Sequence, residues 1–158
     1  KYRILVFLNP ELDTLGKGYQ IMQSKIAIGS GGMFGKGFLT GSQSRLDFLP
    51  EKHTDFVFTL ISEEMGFVGS MLVLILYFVI NIILIREFLK EENITNKILI
   101  FGVSFLIFLY VFFNIGMVTG LIPVVGAPLP FISNGGTSLI TIFIGLGIIQ
   151  SIRVSRNV

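Results

Sequence analysis

The residues best suited to chemistry lie together, where a charged stretch of the chain runs into an apolar one. That stretch is Pro50-Glu51-Lys52-His53-Thr54-Asp55-Phe56, and it holds the only histidine. A carboxylate such as that of Asp55 can act as a general base or bind a divalent cation. A lone histidine can carry a proton or form a hydrogen bond, but it builds no metal site by itself. Asp55 is therefore the first candidate for a catalytic group.

A second polar set follows nearer the C-terminus. Residues 123–130 contain three prolines, and Ser133-Asn134-Gly135-Gly136 comes directly after them. Prolines at this density exclude a regular helix. Irregular backbone at membrane depth is tolerated where it is buried in protein or lines a water-filled cavity. We expect this loop to lie on the same side of the membrane as Asp55 and to share a site with it.

Composition indicates that the elements that position these polar residues are membrane helices. Apolar residues make up 52% of the 158 positions and charged residues 14%, with a mean hydropathy of +0.80. Soluble domains average about 25% charged residues. The absence of cysteine excludes disulfides and thiolate metal sites. The net charge of +2 comes with no basic face, which excludes a nucleic-acid partner.

Three apolar runs meet the length of about 20 residues that a spanning helix needs: 65–85, 98–121 and 131–152. They predict an all-α polytopic membrane protein, with an outer region at 1–64, three spans within 65–152 and a tail at 153–158. The chain starts at Lys1, and its first apolar run, residues 4–8, is shorter than a signal-peptide core of about 7–15 residues. We therefore expect it to be the C-terminal portion of a longer membrane protein.

Orientation follows from the positive charges of the short segments. The loop 86–97 carries Arg86, Lys90 and Lys97, and the tail carries Arg153 and Arg156, whereas the loop 122–130 carries none. The loop 86–97 and the tail 153–158 are therefore predicted to be cytoplasmic. Residues 1–64 and 122–130 are predicted to be extracytoplasmic.

An amphipathic helix is predicted within the outer region. Its apolar positions recur at helical spacing: Leu15, Tyr19, Met22 and Ile26. Asp13 or Thr14 can cap its start, and Gly29 can end it. Two placements are open, one in the membrane interface and one packed on the protein.

The glycine-rich run that follows, residues 29–37, invites comparison with a phosphate-binding loop. The spacing fails, since Ser30 stands where a Walker motif needs glycine and Gly37 follows Lys36. We interpret the run as a tight turn that uses positive φ angles. Backbone amides that meet a diphosphate are the less favoured alternative.

One helix from Thr54 to Ile85, capped by Thr54, would place Asp55 in its first turn. A carboxylate there could simply stabilise the helix dipole. One face of polar and small residues, however, favours a cavity or a close helix contact. It is formed by Asp55, Thr59, Ser62, Gly66 and Gly69.

At least one of Glu63 and Glu64 is expected to be solvated on the part of the helix at the membrane edge. Within the spans, Asn114 and Gln150 are expected to form helix–helix hydrogen bonds, and Gly116 with Gly120 a packing face.

Three long segments resemble one known family. They are NPELDTLGKGYQIMQSKIAIGSGGMFGKGF (9–38), GSQSRLDFLPEKHTDFVFTLISEEMGFVG (41–69) and NIGMVTGLIPVVGAPLPFIS (114–133). Together they resemble the SEDS family of RodA, FtsW and SpoVE proteins, and most closely its elongation-type RodA branch. The resemblance implies a fold of ten transmembrane helices, of which this chain would be the last three with the large outer loop before them.

The resemblance also implies a function. SEDS proteins polymerise glycan strands from lipid II at the outer face of the bacterial cytoplasmic membrane during elongation and cell-shape maintenance. Their expected partners are a class B penicillin-binding protein, which cross-links the strands, and other membrane proteins of the elongation machinery. The family's key acidic residue lies in an HTDF motif and corresponds to Asp55. One departure is Asn134, where the family usually has tyrosine.

Polymerisation from an α-linked diphosphate to a β-linked glycan inverts the anomeric centre, so the acceptor hydroxyl needs a general base. Asp55 is the candidate, either as that base or as the carboxylate that binds magnesium or manganese. Arg45, Lys52 or the metal could stabilise the leaving diphosphate. The further candidates for substrate binding are Glu51, His53, Pro128, Ser133, Gly135 and Gly136. Two alternatives stay open, a transporter of lipid-linked precursor and a non-catalytic scaffold for a transpeptidase.

Overall fold

The computed structural model describes residues 16–38, 40–41 and 54–156. The described residues form four helices and no strand: α1 (Lys17–Gly31), α2 (Val57–Lys90), α3 (Ile94–Val118) and α4 (Gly136–Arg156). Helices α2, α3 and α4 are long and apolar enough to cross a membrane. The prediction of an all-α polytopic membrane protein with three spanning helices is confirmed.

The helix bounds differ from the predicted spans. Helix α2 begins at Val57 and continues to Lys90, with Phe56 as its N-cap and no side-chain capping bond. The proposed Thr54 cap is therefore wrong, and Asp55 lies in a turn before the helix. The third span was placed too early, because residues 130–132 form a turn in which Phe131 has a φ of 67°. A non-glycine residue at positive φ cannot continue a right-handed helix.

Helix α1 packs on the protein, against α2 and α3. Its buried face is formed by Ile21, Ser24 and Ala27, whereas Met22 and Ile26 of the predicted apolar stripe are about half exposed. Small residues on the buried face let the backbones approach closely, and the Ser24 hydroxyl donates to the Val118 carbonyl at 2.7 Å. The proposed caps Asp13 and Thr14, like Leu15, lie outside the described residues. Helix α1 ends at Gly31, not Gly29, with Gly32 at a φ of 56°.

Helices α2 and α3 form the main packed pair, with Ile100 and Ile107 buried in the seam. Helix α3 begins at a clear cap, where the Asn93 side chain accepts from the Thr95 N–H at 2.9 Å. Its C-terminal end explains the two glycines that were predicted to form a packing face. Gly116 is covered by the following loop through Ile122, and Gly120, at a φ of 71°, lies against Lys25 of α1. The close contact is therefore with α1 and a loop, not with another spanning helix.

Candidate functional site

Asp55 lines a polar cavity of about 490 Å³ at the end of the bundle where α2 begins. Three segments meet there: the start of α1, the turn before α2 and the loop between α3 and α4. The residues around the cavity are Gly16, Gln20, Thr54, Asp55, Phe56, Val124, Gly126, Pro128, Asn134 and Gly135. The expectation that Asp55 and the proline-rich loop share one site therefore agrees with the geometry.

Asn114 of α3 holds the two irregular segments together. Its side-chain amide donates to the Asp55 carbonyl at 2.9 Å and to the Ala127 carbonyl at 2.7 Å. The side chain is fully buried, where an unpaired backbone carbonyl would be costly. The expected helix–helix bond was thus wrong in its partners, since Asn114 bonds to a turn and a loop. Gln150 is exposed and makes no side-chain hydrogen bond to any residue that the structure describes.

The proline-rich loop is a fixed wall, held by its own residues and by α2. The Ser133 hydroxyl accepts from the Leu129 N–H at 2.8 Å, and the Ser133 N–H donates to the Leu129 carbonyl at 3.0 Å. Tyr77 of α2 donates its hydroxyl to the Pro130 carbonyl. Since Leu129 and Tyr77 are both buried, these bonds are shielded from water and give the wall a defined position.

Glycine at 126 lets this wall approach the carboxylate. A Cβ atom at that position would lie 3.2 Å from the Oδ2 atom of Asp55. Gly126 also has a φ of 81°, which a residue with a side chain rarely adopts. Both observations make Gly126 part of the site, and the sequence showed only that the loop contained glycine.

The other proposed site residues divide into three groups. Pro128 and Gly135 line the cavity with Asp55. Ser133 is buried inside the loop as its brace, and Gly136 is exposed at the first position of α4. The remaining four lie outside the described residues: Arg45, Glu51, Lys52 and His53. Gln20 and Gly16, from the start of α1, were not predicted, since nothing local marks them as part of a distant cavity.

The polar-to-small face of α2 is buried, as expected for Thr59, Ser62, Gly66 and Gly69. Glu63 is also fully buried, whereas Glu64 is half-buried.

The glycine-rich run, residues 29–37, forms a turn against this face of α2, with Gly35 at a φ of 77° and Gly37 at 102°. Its amides at Gly35, Lys36 and Gly37 donate to backbone carbonyls. These bonds favour the turn interpretation over a diphosphate cradle.

A divalent cation at Asp55 would need ligands beyond this carboxylate. Among the described residues that line the cavity, Asp55 is the only acidic one. No group of three histidine, cysteine or acidic side chains suited to a metal occurs in the part of the chain that the structure describes. Magnesium commonly binds through one or two carboxylates, with water and substrate phosphates as the other ligands. A cation held in that way would have Asp55 as its protein ligand among the described residues of the cavity.

Three helices able to span a membrane define a polytopic membrane protein. At one end of these helices lies a polar cavity that is walled by irregular backbone and has Asp55 as its one described carboxylate. The comparisons identify the family of this protein. Residues 1–158 match the family model of FtsW, RodA and SpoVE, described as "Cell cycle protein". The chain belongs to this family, as its resemblance predicted.

Relatives and a solved structure agree. The chain is 47% identical over 157 residues to "Peptidoglycan glycosyltransferase MrdB" of Escherichia coli (strain K12), covering 99% of this chain and 42% of that protein. It is 43% identical to "Peptidoglycan glycosyltransferase RodA" of Treponema pallidum (strain Nichols), covering 98% and 36%. A structure described as "Structural coordination of polymerization and crosslinking by a peptidoglycan synthase complex" superimposes with a TM-score of 0.73 at 35% identity, over 96% of this chain and 41% of that one. The chain thus spans less than half the length of these proteins.

Proposed function

We propose that the protein containing this chain is a peptidoglycan glycosyltransferase that polymerises lipid II into glycan strands for cell elongation. The observation that carries the proposal is the placement of Asp55. In a chain of this family, the single described acidic residue of the cavity faces a rigid loop at the end of a membrane bundle. A lipid-linked sugar needs such a site, because its lipid stays in the membrane while its sugar reacts above it.

Asp55 acts in this proposal as the general base. It takes the proton of the acceptor hydroxyl as that oxygen attacks the anomeric carbon, and the bond from this carbon to the diphosphate breaks on the opposite face. The charge that develops on the diphosphate needs nearby cations. Lys52 and Arg45 are the candidates in this chain. In the alternative role, Asp55 would instead hold magnesium or manganese, which would supply positive charge to the diphosphate.

The proposed sidedness follows from charge. Residues 1–64 and 122–130 are extracytoplasmic, and residues 86–97 and 153–158 are cytoplasmic, in the inner membrane of a bacterium. The cavity then opens at the outer face, where the precursor is used. A class B penicillin-binding protein is the proposed partner, and the name of the matching synthase complex supports it. Other elongation-machinery membrane proteins would join the same assembly.

The test is glycan polymerisation from labelled lipid II by the full-length protein with its cognate transpeptidase. Wild type is compared with Asp55→Asn, each with and without magnesium or manganese. We expect Asp55→Asn to fold and insert but to lose activity by about 10²–10⁴-fold, the range for removing a general base. Glu64→Gln is the matched control, because Glu64 is half-buried outside the cavity.

The outcomes separate the alternatives. Long glycan from wild type and Glu64→Gln, but not from Asp55→Asn, supports the polymerase with Asp55 at the chemistry. Full activity of Asp55→Asn contradicts the base assignment. No glycan from any variant, with lipid II moved across vesicle membranes, would identify a transporter. Neither activity, with intact transpeptidase binding, would identify a scaffold.

A further inference from the structure

The loop after α1 is built into a break in α2. At Gly66 the backbone of α2 leaves the helical region, with a φ of 66° and a ψ of −160°. In a regular helix the N–H groups of residues 67 and 68 would pair with the carbonyls of residues 63 and 64. Here the loop takes all four groups: Phe67 N–H donates to Gly32 O (2.9 Å), Val68 N–H to Met33 O (3.2 Å), Lys36 N–H to Glu63 O (3.0 Å) and Gly37 N–H to Glu64 O (3.0 Å).

In this arrangement, which we call the splice, residues 32–37 replace the missing helical partners of residues 63–68. The splice requires the two backbones to be in direct contact. A Cβ atom on Gly66 would overlap the Gly35 nitrogen, and one on Gly35 would overlap the Glu64 carbonyl. A Cβ atom on Gly31 would overlap the Ser62 carbonyl. Glycine at these three positions therefore lets the loop replace the missing helical hydrogen bonds.

One ion pair locks the splice. The Lys36 ammonium lies 2.8 Å from the Glu63 carboxylate, whose side chain is fully buried, while that of Lys36 is 30% exposed. A buried charge that loses its partner is strongly disfavoured, and the surrounding structure shifts to restore its hydration. The pair thus makes the position of the loop on α2 depend on two side chains.

The spliced unit extends to the Asp55 cavity. Helix α1 is 15 residues or about 22 Å long. It begins at the cavity, where Gly16 precedes the helix and Gln20 lies in its first turn, and it ends at the loop that fills the break in α2. The part of α2 before the break, residues 57–65, starts directly after Asp55 and Phe56. Two walls of the cavity are therefore fixed to each other at Gly66, two helical turns or more from the carboxylate.

We propose that the Lys36–Glu63 pair is a positioning device for Asp55, an inference that rests on the proposed function. Neither Lys36 nor Glu63 is among the described residues that line the cavity. It acts by holding α1 and residues 57–65 in one arrangement, so that Asp55 stays aligned with the acceptor hydroxyl. Misplacement of a catalytic group by about 1 Å can cost about 10²-fold in rate.

The kinetic test uses the full-length protein with its transpeptidase and measures glycan synthesis against lipid II concentration. We expect Glu63→Gln and Lys36→Met to lower kcat by about tenfold or more with little change in KM, as for an interaction that serves the transition state. Lys36→Arg keeps the charge and should restore most of the rate. Glu64→Gln, one position along and without a side-chain partner among the described residues, should match wild type.

A second readout reports the arrangement without activity. The 158 residues hold no cysteine, so single cysteines can replace the exposed Met22 of α1 and the exposed Met65 of α2. Spin labels there, in a background free of other cysteines, measure the distance from α1 to the part of α2 directly before the break. Wild type should give one narrow distance distribution. Glu63→Gln should broaden or shift it, and Glu64→Gln should not.

The two readouts together decide the proposal. A broadened distance with a lower kcat in Glu63→Gln supports it. An unchanged distance overturns it, whether the rate falls or not, because the pair then positions nothing. An unchanged rate with a broadened distance also overturns it, since the arrangement would not matter to catalysis. If wild type makes no glycan but Glu63→Gln still broadens the distance, the glycosyltransferase proposal fails while the positioning of the Asp55 segment stands.

Discussion

Asn114 does for the pocket what a helix cap does for a helix end, since it supplies donors to carbonyls that have left regular structure. Its amide joins the turn at Asp55 to the loop at Ala127. Because the side chain is fully buried, no water can replace such a bond. A polar residue buried at this point therefore fixes the distance between the candidate base and the opposite wall.

Asn114→Leu keeps the approximate volume of the side chain and removes both donors. Each carbonyl left unpaired should cost about 1–3 kcal/mol, so we expect a lower thermal midpoint and loss of glycan synthesis. The midpoint is measured by size-exclusion chromatography after heating the detergent-solubilised protein in steps. Gln150→Leu is the control, because the Gln150 side chain is exposed and makes no hydrogen bond to any described residue. Equal midpoints for the two variants would show that the Asn114 bonds contribute nothing.

At this scale the sequence located Asp55 and the loop but not their connection. The site residues were visible because charge stops abruptly after Glu64 and prolines interrupt the apolar runs. Asn114 was noticed as a polar residue in a span, yet its partners are 59 and 13 positions away. Gln20 carries no local signal at all. Contacts of this kind depend on tertiary packing, which periodicity does not contain.

The elements themselves were more predictable, with two instructive exceptions. Apolar length was sufficient to find three spanning helices, because a bilayer demands about 20 apolar residues. The break in α2 was not predicted, since glycine in a spanning helix usually indicates close packing. The glycine run at 29–37 and Gly66 were both noted, but only the structure shows that they meet. The amphipathic stripe of α1 failed for a related reason, because small residues pack better here than large ones.

Gly66→Ala tests whether the break in α2 requires glycine at this position. The new methyl group would overlap the Gly35 nitrogen. The backbone conformation of Gly66, with a φ of 66° and a ψ of −160°, is essentially restricted to glycine and costs about 1–3 kcal/mol for a residue with a side chain. We expect the loop to leave α2, with destabilisation above about 3 kcal/mol once the four hydrogen bonds weaken. Limited proteolysis at the loop around Lys36 measures its release.

Gly102→Ala is the matched substitution for that experiment. Gly102 also lies within a spanning helix, but a Cβ atom there meets nothing within 4 Å. It should be neutral or slightly stabilising, since alanine is the better helix former by about 1 kcal/mol. Equal protease resistance of the two variants would contradict the close packing at Gly66.

At the scale of the molecule, the two ends of the bundle are organised by different means. The cavity end is held by backbone hydrogen bonds, Asn114 and the proline-rich loop. The opposite end is held by charge, where Arg156 of α4 reaches Glu87 of α2 at 2.6 Å and Glu91 at 3.6 Å. Between these ends, α4 packs mainly on α3, where Gly145 of α4 lies against Val103 of α3. Arg156 therefore joins the last helix to the first spanning helix.

Arg156→Gln should loosen α4 at the opposite end and leave the cavity intact. It leaves two largely buried carboxylates without their cation. Loss of a fully buried partner costs about 3–5 kcal/mol. Arg156 is 25% exposed, so screening reduces our expectation to about 1–3 kcal/mol.

Arg153→Gln is the control for this experiment, because it removes the same charge from an exposed position in the last turn of α4. Arg153 forms no ion pair with any described residue. It should leave the thermal midpoint within error of wild type, while Arg156→Gln lowers it. Glycan synthesis per folded molecule should be equal in both variants, because neither residue lies near Asp55. Loss of synthesis in Arg156→Gln without a lower midpoint would show that the two ends of the bundle are coupled. The cavity end and the ion pairs of Arg156 would then not be independent of each other.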